Sequence, residues 1–281
     1  MTIHSVRGDP QRLREEFDAL GFAVVGDAID EALLAQVQRE TEQIVGAQLE
    51  RLGRAPRGAG RLFDDLAALH DADLESYLQS LRLAAKLASV FALYLAPPVR
   101  RLMQALGIQT AAWQTSPVLH VMAERLRIPG GYYGVDTHQD WPALQSGLDT
   151  VTGWIPLFDV TEDTFPLEVA PGSHLLGLLP GRPSQHYYAI DPAALAGLEF
   201  TGLAVPRGGI ALMSNFTVHR SGLRGGDALR MAYSHRYENA AEPSFVARRY
   251  PSAQSRSIRR ELMQPGFPGR EEVQRVYRRR S

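Results

Sequence analysis

The chain has 281 residues, 44% of them apolar and 22% charged, with a formal net charge of −1. That is the composition of an ordinary globular protein, and a charge so near zero argues against nucleic acid as a partner for the molecule as a whole. The absence of cysteine excludes disulfides, thiolate metal ligands and a cysteine nucleophile together.

Length exceeds the modal domain size but fits a single elaborated domain, residues 1–281. The expected division is a mostly helical part at 1–109, a β core at 110–237 and a C-terminal extension at 238–281. The opening Met1-Thr2-Ile3-His4-Ser5-Val6-Arg7-Gly8-Asp9-Pro10 lacks the basic segment and apolar run of a secretory signal. No stretch reads as a membrane span, and a cytoplasmic location is expected. Lys86 is the only lysine, so positive charge is nearly all arginine.

In chain order, Leu13, Phe17 and Leu20 recur at helical spacing and Gly21 sits where that helix would stop. Asp30 is placed to cap a second helix with Leu33, Leu34, Val37 and Ile44 as its apolar stripe, continuing toward Leu52. Residues 54–62 carry too much glycine and proline for a regular element and read as a loop. A helical pair is expected from about Asp73 to Gly107, interrupted by Pro97-Pro98. From Thr110 the period shortens to that of strands: Val118 to Met122, Tyr132 to Val135, Val151 to Val160, Leu167 to Ala170, a hairpin of Leu203 to Pro206 with Ile210 to Ser214, and Met231 to Tyr237. Short strands joined by Gly/Pro turns imply a β-sandwich or jelly roll. The basic residues Arg259-Arg260, Arg270 and Arg278-Arg279-Arg280 are read as a solvated tail, with weak peripheral membrane contact left open.

The chemistry-bearing run is Thr137-His138-Gln139-Asp140-Trp141. On a strand, residues i and i+2 share a face, so His138 and Asp140 would grip one ion while Gln139 points away. Alone, an H-x-D triplet is weak evidence and reads as a polar loop. However, the apolar run Gly209-Ile210-Ala211-Leu212-Met213 leads into Phe216-Thr217-Val218-His219-Arg220-Ser221-Gly222, and Arg230 follows His219 by eleven positions. Two imidazoles and one carboxylate suit ferrous iron held on one face.

These elements, in this order, resemble the phytanoyl-CoA dioxygenase-like branch of the iron(II)- and 2-oxoglutarate-dependent oxygenases: H-x-D at His138 and Asp140, the Trp-containing strand Val151-Thr152-Gly153-Trp154-Ile155-Pro156-Leu157, the turn Pro171-Gly172-Ser173-His174, the distal His219 and then Arg230. Phe17-Asp18-Ala19-Leu20-Gly21-Phe22-Ala23-Val24-Val25 resembles the family's opening, and the likeness runs from about residue 10 to residue 237. It implies a mainly β fold with flanking helices (α+β), the double-stranded β-helix of cupins, buttressed by N-terminal helices.

The resemblance also implies Fe(II) on His138, Asp140 and His219 as the catalytic metal site. It implies 2-oxoglutarate as cosubstrate, O2 as oxidant, and ascorbate as an in vitro reductant. Oxidative decarboxylation would yield succinate and CO2 while an unactivated C–H bond of a small-molecule, carbohydrate-like or lipid-linked metabolite is hydroxylated. Arg230 would hold the distal carboxylate of 2-oxoglutarate through its planar guanidinium, with Ser221 as a third donor. Trp154 and His120 fall where the family contacts the cosubstrate. A packed sheet aromatic and a hydrogen-bonded core histidine are the alternatives for those two. His174 reads as structural, with Gly172 suited to a positive-φ turn. His186, Tyr187 and Tyr188 lie in a polar stretch of undefined role.

The sequence departs from the family pattern at Thr164-Phe165, where Asn-Gly is frequent, and after Ser221-Gly222, where no Pro-Asn follows. Retention of Asp140 favours hydroxylation or a related oxidation over halogenation, which needs a small residue there. A zinc or manganese cupin performing isomerisation or hydrolysis, which would not need Arg230, and a non-catalytic β-barrel binding module are the competing readings. The loops 54–62, 141–147 and 175–200 are expected to form the substrate pocket.

Overall fold

The structure is a computed structural model that describes residues 2–113, 115–128, 133–183, 188–251 and 264–278. Its first helix, Pro10–Leu20, starts on the Asp9 side chain, which accepts from Gln11 N at 2.8 Å, and ends at Gly21, φ +82°. The second, Glu31–Arg51, is capped by Asp30, which accepts from Ala32 N at 2.7 Å. Such a cap contributes about 1 kcal/mol. Its buried stripe is centred on Leu34, Val37, Thr41, Val45 and Leu49, with Leu33 and Ile44 at the margins.

The remaining N-terminal helices are Leu62–Ala72, Leu74–Ala84, Ala88–Leu95 and Pro97–Ala105. They differ from expectation in three respects. Leu62 opens a helix that the adjacent Gly/Pro-rich stretch masks. The segment after Asp73 breaks at Lys86 as well as before Pro97. Pro97 itself begins a helix, because the first turn needs no amide donor from it. The run Leu74–Leu95 is, contrary to the sequence reading, apolar and long enough by composition to cross a bilayer, with a mean hydropathy of 1.2. Here it is two helices, and Tyr77, Ser80, Ala84, Val90, Leu93 and Tyr94 are buried.

Among the described residues, the large sheet has the order Ile3–His4, Phe22–Val25, Ile210–Ser214, Val151–Pro156, Arg230–Asn239, Ala111–Ala112, with Val118–Met122 also paired to Arg230–Asn239. A smaller sheet faces it, in the order His219–Ser221, Leu167–Val169, Thr201–Leu203, and Gly181–Pro183 pairs with Tyr188–Ile190. The β framework thus draws Ile3–His4 and Phe22–Val25 from the N-terminal part as well. Val160 joins Val205 in an isolated bridge rather than extending its strand.

The anticipated hairpin is replaced by a crossing between layers. Thr201–Leu203 pairs with Leu167–Val169, whereas Ile210–Ser214 pairs with Phe22–Val25 and Val151–Pro156. Pro206, which has no amide proton to donate, lies in the connection.

Strand alternation sorts side chains between two cores. Ala23, Val25, Val151, Ile155, Ile210, Leu212, Met231, Tyr233 and Tyr237 pack against the helices. Phe22, Val24, Trp154, Ala211, Met213 and Ala232 point to the smaller sheet, together with Leu167, Val169, Leu203 and Val205. Both faces of the large sheet are therefore buried, each large apolar side chain contributing about 1.5–3 kcal/mol. This is a double-stranded β-helix of two facing sheets, with helices on one outer face.

The C-terminal part packs back onto this framework. Val273 and Tyr277 of the helix Arg270–Arg278 are buried, and the Tyr277 hydroxyl bonds the Ser214 hydroxyl. The segment that carries Arg270 and Arg278 is therefore a docked helix rather than a free tail. Arg259, Arg260, Arg279 and Arg280 lie outside the described residues, as do Tyr132, His186 and Tyr187.

Candidate metal centre

His138 and His219 face one another across an antiparallel bridge closed by two backbone hydrogen bonds of 3.0 Å. Their rings consequently lie side by side, with centroids 4.1 Å apart. Asp140 arrives differently from the strand pleat anticipated. Its φ of −74° and ψ of −29° are helical, and it immediately precedes the short helix Trp141–Leu144. This turn brings Oδ1 to 3.6 Å from His138 Nε2. One ligand atom from each of His138, Asp140 and His219 lies within 4.8 Å of the others, and all three residues are buried. Gln139 does turn aside: its Nε2 donates to Gly177 O at 2.8 Å and Phe216 O at 2.7 Å, and Oε1 accepts from Leu179 N.

The histidine tautomers follow from their partners. His138 Nδ1 is 2.7 Å from Asp136 O, and His219 Nδ1 is 2.9 Å from Thr217 O. A carbonyl only accepts, so each Nδ1 carries a proton and Nε2 is the nitrogen left for a metal. That is the arrangement of metal-ligating histidines whose second nitrogen is anchored by the protein. Burial, with His138 alongside, lowers His219 to about 4, so its imidazole is neutral near pH 7. Burial works against the charge on Asp140, but Arg236, His138 and His219 hold its carboxyl well below the usual carboxylate range.

The three residues open on a cavity of about 180 Å³ that also reaches Val118, His120, Val135, Leu144, Thr152, Trp154, Leu167, Tyr188, Met213, Ser221, Arg230, Ser234 and Arg236. Arg230 is 2% exposed. Its NH1 donates to Phe165 O at 2.9 Å, and its guanidinium carbon lies 5.8 Å from the Trp154 ring centre. Ser221 Oγ accepts from Val135 N at 3.0 Å. His120 Nε2 pairs with Ser234 Oγ at 2.9 Å, and burial, with Arg230 and Arg236 nearby, lowers its pKa to about 3.

All seven residues that the sequence assigned to the metal or the cosubstrate thus border one cavity. The segments 141–147 and 175–200 contribute Ala143, Leu144 and Tyr188, whereas none of 54–62 lines it. His174 instead packs on Tyr277, with ring centroids 4.7 Å apart, and its Nε2 bonds Asp18 O at 3.0 Å; Gly172, at φ +73°, makes the turn before it.

Two residues of the centre escaped the motif reading. Arg236 donates to both oxygens of Asp140, through NH2 to Oδ1 at 2.8 Å and through Nε to Oδ2 at 3.3 Å. Thr152 Oγ1 donates to Oδ2 at 2.7 Å. Parity along the strands is the signal that finds them: Arg236 shares a face with Arg230, and Thr152 shares one with Trp154.

The chain is similar to the non-heme alpha ketoglutarate dependent carbocyclase SnoK from nogalamycin biosynthesis, at 17% identity over 93% of this chain and 98% of that one, with a TM-score of 0.58. It is similar also to the epimerase SnoN in complex with Fe3+, alpha ketoglutarate and nogalamycin RO, at 16% identity over 90% and 95%, TM-score 0.56. A third similar structure is AviO1 from Streptomyces viridochromogenes Tue57, at 20% identity over 84% and 97%, TM-score 0.53. At such identities these likenesses concern the fold. No curated protein matches the chain. The profile of the phytanoyl-CoA dioxygenase (PhyH) family, by contrast, matches residues 17–232, well over half of the sequence. On that match, and with the H-x-D, distal-histidine and arginine pattern gathered around one cavity, the chain belongs to the phytanoyl-CoA dioxygenase family.

Proposed function

We propose that the protein is an iron(II)- and 2-oxoglutarate-dependent oxygenase that hydroxylates an unactivated C–H bond of a small molecule, releasing succinate and CO2. The observation that carries this reading is the pair of imidazoles at His138 and His219, each with Nδ1 committed to a backbone carbonyl, converging with Asp140. These donors fit a divalent metal: two imidazole nitrogens and one ionised carboxylate on one side of a cavity. Bound there, iron with 2-oxoglutarate supplies the oxidising power drawn from dioxygen.

The chain's own residues position the reactants. His138, Asp140 and His219 hold the metal, leaving its cavity side to the cosubstrate. Arg230, aimed by the Phe165 carbonyl and set near the Trp154 ring, receives the distal carboxylate of 2-oxoglutarate. The Ser221 hydroxyl already accepts from Val135 N, which orients its own proton as a further donor. His120, neutral near pH 7, closes this part of the wall through Ser234. Val118, Val135, Leu144, Leu167 and Met213 give the cavity an apolar surface suited to the carbon skeleton of a small metabolite. Retention of Asp140 favours hydroxylation over halogenation.

The test is succinate release from 2-oxoglutarate with Fe(II), O2 and ascorbate present, screened over candidate small molecules. Turnover by the wild type, abolished in His138→Ala and in Asp140→Ala while both keep wild-type circular dichroism, is expected. Absence of succinate from the wild type under every condition sinks the reading.

A further inference from the structure

Every guanidinium nitrogen of Arg236 is engaged: NH2 on Asp140 Oδ1 at 2.8 Å, Nε on Asp140 Oδ2 at 3.3 Å, and NH1 on Ser234 Oγ at 3.1 Å. Ser234 Oγ, which accepts from NH1, in turn pairs with His120 Nε2, 2.9 Å away. The arginine is thereby linked through Ser234, on its own strand, to His120 on the neighbouring strand Val118–Met122, as well as to the carboxylate. On the carboxylate the two oxygens differ. Oδ2 also accepts from Thr152 Oγ1 at 2.7 Å, whereas Oδ1 faces His138 Nε2 at 3.6 Å.

Oδ1 is therefore the oxygen that a metal ion held by His138 and His219 would take, and Arg236 NH2 already donates to it. Oδ1 offers a second lone pair, but a divalent cation on it would stand close to the guanidinium that donates to the first, and the two like charges repel. Resting on the metal reading above, we propose that Arg236 is a positioning residue that competes with the metal for Asp140 Oδ1. It keeps the buried carboxylate charged and oriented, and it yields Oδ1 when the metal binds, while Nε and Thr152 retain Oδ2. A buried carboxylate stripped of its partner is strongly destabilising, so the fold is weakened when both the arginine and the metal are missing. In consequence the metal is held less tightly than the three ligands alone would hold it, and it can exchange.

The experiment is a Mn2+ titration of chelator-treated full-length protein, read by thermal midpoint and by electron paramagnetic resonance of free Mn2+. In Arg236→Met the midpoint without Mn2+ is expected to fall. The rise on adding Mn2+ should exceed that of the wild type, and Mn2+ should bind about tenfold more tightly, the equivalent of one charge-assisted hydrogen bond that no longer has to be displaced. Arg236→Lys, which restores the charge, should return both readings toward the wild type. A purely structural arginine would lower the midpoint equally with and without metal. Equal Mn2+-induced rises and equal affinities therefore overturn the proposal, as does weaker binding in Arg236→Met or a Lys variant indistinguishable from it. If the Met variant folds only with Mn2+, that is the supporting result in its extreme form, and the Lys variant carries the affinity comparison. No Mn2+ response in the wild type would instead overturn the metal reading and the inference with it.

Discussion

Arg230 and Arg236 lie on the same face of one strand, yet their surroundings assign them different work. Arg236 is bound to a carboxylate and a hydroxyl, while Arg230 is aimed by a carbonyl and an indole face toward the cavity. Arg230→Ala is expected to weaken 2-oxoglutarate binding by roughly 30-fold or more, since charge-assisted hydrogen bonds contribute about 1.5–3 kcal/mol each. Calorimetric titration of metal-loaded protein checks this, and equal affinity in wild type and variant would refute the assignment. His120 has a different character. With its pKa lowered to about 3, it is a neutral hydrogen-bonding group rather than a charge for the cosubstrate.

At the scale of elements, the site depends on the chain reversal between Pro10–Leu20 and Phe22–Val25. Gly21 occupies φ +82°, donates to Phe17 O at 2.8 Å and accepts from Thr217 Oγ1 at 2.7 Å. A Cβ there would lie 2.4 Å from His174 Nδ1 and 2.7 Å from Thr217 Oγ1. Thr217 in turn supplies the carbonyl that fixes His219 Nδ1. Gly21→Ala is therefore expected to cost at least about 1–2 kcal/mol through strained backbone and displaced neighbours, and to weaken Mn2+ binding as His219 loses its anchor. Urea denaturation and the same metal titration measure the two effects; an unchanged denaturation midpoint would refute the first. The framework also shows why Asp140 is not reached along a strand: the turn into Trp141–Leu144 replaces the pleat, so an H-x-D spacing delivers its ligands by a different local geometry from the one it suggests.

Across the whole molecule, buried titratable groups set the response to pH. Burial lowers His120 and His235 to about 3 and His174 and His219 to about 4. The unfolded chain takes up those protons near pH 6.5 and the folded chain does not. The contribution of these histidines is accordingly full above pH 6.5 and is lost as pH falls toward 3–4. Glu238 acts in the opposite sense. Burial raises it to about 7 against a hydrogen bond from Ser146, so its contribution is present below about pH 4.5 and is lost as pH rises through 7. Glu238→Gln should remove that loss and raise stability above pH 7 by on the order of 3 kcal/mol, read from denaturation curves between pH 5 and about 8. A variant with the wild-type pH profile would sink the assignment. The helix caps at Asp30 and Gly21, the strands Val118–Met122, Ile210–Ser214 and the one opening at Arg230, and the order His138, Asp140, His219, Arg230 were legible in the sequence, because each rests on local geometry or on fixed spacing along the chain, whereas the strand expected over Tyr132 to Val135 is not formed in its described residues 133–135. The start of a helix at Leu62, the layer crossing that replaces a hairpin after Leu203, the docking of Val273 and Tyr277, and the grip of Arg236 on Asp140 were decided only by tertiary structure. Those depend on which distant surfaces meet, and alternation along a strand states which residues share a face without stating what that face will meet.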